Sequence, residues 1–71
     1  MGTKLNPGSY DCYAKAQDDE PIFVLRANDP TAPFAIRKWA RRRSLVKGND
    51  AKYEEAMKIA LDMETWRKDN E

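Results

Sequence analysis

With 71 residues, one cysteine, no histidine and a formal net charge of +1, the chain has material for one small domain, no intrachain disulfide and no zinc-ligand set. The missing imidazole removes the commonest general base, and neither Cys12 nor Ser44 stands in a catalytic frame, so no enzyme activity, metal or cofactor is expected. A single core of this size supplies only ~3–5 kcal/mol, which leaves a homo-oligomer as the expected support.

The stretch MGTKLNPGSYDCY has neither the apolar run of a signal peptide nor a membrane span, and a lone thiol fits a reducing compartment. A cytoplasmic location and no membrane contact are expected. Residues 1–9 read as a flexible tail, because the turn signal Asn6-Pro7-Gly8 precedes any periodic pattern, and residues 10–71 read as one helical domain. One helical turn can open YDCYAKAQ, with Cys12 as a small buried apolar residue. Asp18, Asp19 and Glu20 ahead of Pro21 then form a helix-start signal, acids at the positive end of the dipole and Pro at the first position. A short buried helix is predicted over Pro21–Ala27, ended by Asn28, Asp29 and Pro30. Ile22, Phe23 and Val24 keep a strand open as the alternative, although no second strand is available to pair with it.

The next helix is expected from about Ala32 to Lys47, with Thr31 available to cap it, Pro33 in its first turn and Gly48 as its stop. A third is expected from Asp50, a capping residue, to about Lys68, with Glu54 and Glu55 in its opening turns. Tyr53, Ala56, Met57, Ala60, Met63 and Trp66 recur at spacings of three and four, a stripe facing a core. The fold class is therefore all-α: an antiparallel helix pair packed against a short N-terminal helix or segment.

The small net charge hides a strong polarity. Residues 1–36 carry three cations against five anions, residues 37–47 carry six cations and no anion, and residues 48–71 carry four cations against seven anions. At about 100° per residue the expected core face of the second helix holds Ile36, Trp39, Ala40 and Val46, flanked by Ala35. Arg37, Lys38, Arg41 and Arg42 fall on the opposite arc with Phe34 and Leu45 among them, and those two apolar residues point to a cover, either the N-terminal segment or a second subunit, and mark an expected oligomer interface. Arg43 points toward the core face, either laying its stem over Trp39 or building an anion site between subunits.

These cations can be matched by Glu54, Glu55, Asp62 and Glu64 or by the run Asp18 to Glu20. Exposed pairs of that kind contribute little, so they do not account for the concentration of charge. An anionic ligand or partner does. Arg37, Lys38, Arg41 and Arg42 are the expected phosphate contacts, Arg43 a bidentate or stacked contact, and Tyr10 or Tyr13 the platform for a base.

From Tyr10 to Arg43 the chain resembles small proteins of bacteriophage genomes. They share YDCY, then DEP followed by FVL, then DP and AP, then a basic helix containing WA; a weaker likeness continues into AMKIALDMETWRK. The resemblance implies an accessory protein acting inside a bacterium, in a class rich in inhibitors of host defence, and transfers no functional residue. Such inhibitors sequester a nucleotide signal or bind a defence complex directly. The expected function is sequestration of a phosphorylated small ligand, such as a cyclic nucleotide, by a non-enzymatic oligomer. The alternatives are direct binding to a host protein and binding of nucleic acid, the latter disfavoured by a basic excess confined to one helix.

Overall fold

A computed structural model describes residues 1–71 as three helices with no strand: α1 (Cys12–Lys15), α2 (Ala32–Lys47) and α3 (Ala51–Asp69). No helix is long and apolar enough to cross a membrane. The two long helices pack against each other, and the pairings Arg37 with Glu64 and Arg43 with Asp50 fix the hairpin as antiparallel.

Helix α2 has the bounds that its sequence signals imply. Pro33 occupies its first turn, where no intrahelical amide donor is needed. Gly48 ends it at φ 75°, ψ −174°, a backbone region open almost only to glycine. Its amide still donates to the Ser44 carbonyl at 2.9 Å. Thr31 does not cap the helix; its hydroxyl donates instead to Asp29 Oδ1 at 2.6 Å, and its own backbone is already helical. Asp50 does cap α3, accepting from the Tyr53 amide at 3.0 Å from an extended backbone.

The seam between the helices is made of very small side chains. Ala32, Pro33 and Ala40 of α2 and Ala56 and Ala60 of α3 are the buried residues. Alanines four and eight apart share one helix face, so each helix presents a nearly flat strip and the backbones can approach closely. Ile36, Tyr53, Met57, Ile59 and Met63 flank the strip half-buried. A contact this narrow leaves outside whatever lies far from its midline. Val46 is 82% exposed and not a core residue, and Ala35, Trp39 and Trp66 also reach solvent.

The expected helix over Pro21–Ala27 does not form, and neither does a strand: residues 21–26 carry no regular structure and lead into a turn before α2. A helix of under two turns repays its nucleation only by packing a face, and Ile, Phe and Val are poor helix formers. Here Ile22, Phe23 and Val24 are exposed, so no packing repays it. The acidic run starts no helix either. Glu20 turns back on itself, its amide donating to the Gln17 carbonyl at 3.1 Å and its carboxylate accepting from the Gln17 amide at 3.4 Å. Cys12 opens α1 but is exposed rather than buried, because one helical turn capped by Asp11 buries nothing. Residues 1–9 run back beside α3, where the Met1 ammonium donates to the Tyr10 carbonyl at 2.9 Å and lies 3.2 Å from Glu55 Oε1. Arg67 ties the loop before α2 to α3 by donating to the Asn28 carbonyl at 2.6 Å.

Two substitutions test this account by urea denaturation. Gly48→Ala meets no atom within 4 Å but forces alanine to a backbone position it rarely adopts, and is expected to cost ~1–3 kcal/mol. Ala40→Leu overfills the seam and is expected to cost a similar ~1–3 kcal/mol, whereas Val46→Ala should leave the midpoint unchanged.

Candidate functional site

The basic helix divides into an inner and an outer set of charges. Arg43 leans toward α3 at the loop end of the hairpin, where its guanidinium donates to both Asp50 oxygens at 2.8 and 3.1 Å and lies 6.0 Å from the Trp39 ring centre. Lys52 approaches from α3, 5.6 Å from the ring of Tyr10 and 5.9 Å from that of Trp39. The guanidinium of Arg43 therefore lies near the Trp39 ring and is taken by a carboxylate of the same chain. Arg37, one and a half turns earlier, pairs with Glu64. Of the other acids expected to match the cluster, Asp62 pairs with Lys58, Glu55 lies by the N-terminal amine, and Glu54 and Asp18 to Glu20 pair with no cation.

The pairs shift the ionisation of their partners. Hydrogen bonding from Arg43, then from the Tyr53 amide, holds Asp50 down at about 2, against an ordinary 3.8. The same bond raises Arg43. Glu64 is lowered by its hydrogen bond from Arg37, and Asp29 by the hydroxyl and then the amide of Thr31.

The outer set is different. Lys38, Arg41 and Arg42 are exposed and make no ion pair. With Phe34 and Leu45 they stand at i, i+4, i+7, i+8 and i+11, one stripe on the outward side centred about 145° round the helix from Ala40. Phe34 is 67% and Leu45 81% exposed, and Val46 borders them on the same outward side. Nothing in the chain lies over this stripe.

The expected platforms do not join the stripe. Tyr10 stacks with Lys52 near Arg43, and Tyr13 is exposed on the N-terminal side. Both line a cleft of about 940 Å³ between the N-terminal segment, the Val24–Ala27 loop and α3, walled also by Ile59, Met63 and Trp66. A smaller cleft of about 300 Å³ lies between residues 1–9 and α3. None of the five expected ligand cations lines either one. No three His, Cys, Asp or Glu side chains converge as metal ligands.

No protein-family model, curated protein or solved structure matches the chain.

The sequence marks Asp50 as a helix cap, and its second role as the Arg43 partner follows from the hairpin's shortness, which sets the residue seven after Arg43 beside it. Nothing local in the sequence marks Lys52. A cation in the first turn of α3 facing two aromatic residues becomes visible only once the helices are docked.

Acid titration tests the pairs. A carboxyl with a lower pKa folded than unfolded adds stability above its unfolded value and loses it as pH falls through the folded one. Urea midpoints should therefore drop as pH is lowered from 3.8 to about 2. Asp50→Asn keeps a capping oxygen but not the charge, and is expected to show a smaller drop, the remainder belonging to Glu64 and Asp29.

Proposed function

We propose that the chain is a non-enzymatic binding protein that docks the outer stripe of α2 onto an acidic surface of a partner protein. The observation that carries this reading is the coincidence of three unpaired cations, Lys38, Arg41 and Arg42, with the exposed Phe34 and Leu45 on one helix face. Arginine is enriched among protein-docking hot spots, its forks match carboxylates two oxygens at a time, and an apolar residue at each end of the row of cations adds area to bury. The helix can lie lengthwise in a groove, read through its i, i+4, i+7 and i+11 positions.

Sequestration of a phosphorylated small ligand is less well supported. Arg37 and Arg43 are held by carboxylates of the chain itself, and the remaining donors diverge over the outer face of α2 and line neither of the two clefts described above. Few of them reach one small molecule at once. Duplex nucleic acid requires a broad basic footprint, while the exposed apolar members of the stripe have no role against phosphates. The resemblance of residues 10–43 to bacteriophage accessory proteins supports a bacterial host protein as the partner and inhibition of a host complex as the outcome.

Calorimetric titration separates the readings. The probes are an amphipathic helical peptide with leucines on one face and glutamates flanking them, a nucleotide panel including cyclic dinucleotides, and a short DNA duplex. The peptide is expected to bind most tightly. Its affinity should fall at least about tenfold in Arg41→Glu/Arg42→Glu, and comparably in Leu45→Asp, in line with the loss of hot-spot contacts. Tightest binding by a nucleotide, undiminished by Leu45→Asp, would restore the sequestration reading. Tightest binding by the duplex with a steep salt dependence would favour nucleic acid.

A further inference from the structure

A globular monomer of this mass exposes roughly 4,500 Å², and this chain exposes 5950 Å². The excess, roughly 1,400 Å², falls in the range that obligate dimers remove from each partner, about 1,000–2,500 Å². The Cα radius of gyration, 12.6 Å, is likewise larger than the ~11 Å of a compact domain of this length.

Three exposed large apolar side chains are consecutive in the chain, away from the outer stripe of α2. Ile22, Phe23 and Val24 are 49, 86 and 66% exposed. From Pro21 to Leu25 there is no charged residue, and no backbone N–H or C=O between Ile22 and Leu25 makes a hydrogen bond within the chain. Directly beside this protruding run lies the 940 Å³ cleft, whose apolar wall includes Val24 and Leu25 themselves together with Ile59, Met63 and Trp66. A knob and a hole thus adjoin on the same surface.

We propose that two copies of the chain associate about a twofold axis beside residues 22–25, each inserting Phe23 into the cleft of the other. A surface carrying both the projection and its receptacle is self-complementary, and under a twofold axis the two insertions are equivalent and close on themselves. A second copy fits better than a foreign protein. The exposed apolar area is a deficit of the lone fold, which buries only four alanines and a proline, and a copy of the chain is present whenever the chain is. The inserted ring covers Trp66 and Met63, supplying to the core the large side chains that the alanine seam lacks. The outer stripe of α2 takes no part in this interface, so the inference stands apart from the proposed partner face.

Sedimentation equilibrium of the full chain tests it, together with tryptophan emission in a Trp39→Phe background, where Trp66 is the sole reporter. The expected results are twice the 8.2 kDa chain mass at micromolar concentration, and a Trp66 emission that moves to the red on dilution with the same midpoint. Phe23→Asp should raise the dimer dissociation constant at least about 30-fold, the effect of losing a hot-spot side chain, while Leu45→Asp leaves it unchanged. Should Phe23→Asp unfold the chain, the milder Phe23→Ala and the dilution series on unsubstituted Phe23 decide. A monomer at all concentrations with constant Trp66 emission overturns the proposal. So does a dimer that tolerates both Phe23 substitutions or is broken by Leu45→Asp.

Discussion

The contact between α2 and α3 is made through Ala32, Ala40, Ala56, Ala60 and Pro33, and the rest of the molecule follows from how little such a contact buries. Hydrophobic stabilisation scales with the apolar area withdrawn from water, and an alanine methyl withdraws little. The seam brings two backbones close together and aligns them without filling a core. Larger residues remain at its margins, half-buried or exposed. This explains why ties from side chain to side chain, and from side chain to loop, recur along the hairpin: Arg43 to Asp50 at its loop end, Arg37 to Glu64 farther along, and Arg67 to the Asn28 carbonyl. Exposed ion pairs add little net stability. They set the register and angle of two helices that slippery alanine faces do not set for themselves.

Asp50 concentrates that role in one side chain. Its Oδ1 accepts both from the Tyr53 amide, starting α3, and from Arg43 near the end of α2. Gly48, with its positive φ, lets the chain turn tightly enough for the two to meet. Helix stop, helix start and interhelical pin thus fall on two residues, Gly48 and Asp50, with only Asn49 between them. The charge that makes Asp50 a good cap near a positive helix end also makes it the partner for a cation near the negative end of α2.

Most of the helical framework was legible in the sequence because its signals are local. Pro33, Gly48 and Asp50 mark the ends of α2 and α3 by backbone chemistry that needs no tertiary partner, and the bounds match to within a residue. What failed depended on packing. Asp18 to Pro21 spell a helix start, but a start signal does not repay nucleation when the following residues find no face to bury, so Pro21–Ala27 is irregular. Periodicity and residue type point Val46 and Cys12 to an interior, yet the alanine seam is too narrow to reach Val46 and one turn of helix shelters nothing around Cys12. At the site, the outward stripe with Phe34 and Leu45 was visible from helical periodicity. The capture of Arg37 and Arg43 was not, since it depends on which acids of α3 come opposite them.

That capture follows from the geometry of a helix. Six cations spread over residues 37–47 cannot share one side of a cylinder that advances about 100° per residue, so those nearest the seam meet α3 and those farthest from it meet solvent. Arg37 and Arg43 lie within about 60° of Ala40 on either side, and each finds an acid across the seam. Lys47 also lies near the seam direction but at the last turn, where it complements the helix dipole instead. Lys38, Arg41 and Arg42 lie beyond reach of any acid on α3, because the body of α2 stands between them. The same concentration of charge therefore fastens the hairpin from within and leaves a basic stripe outside. The inner pairs hold α2 in place, so its outer residues are displayed in fixed relative positions, and a partner would lose less freedom ordering them than it would on an isolated helix.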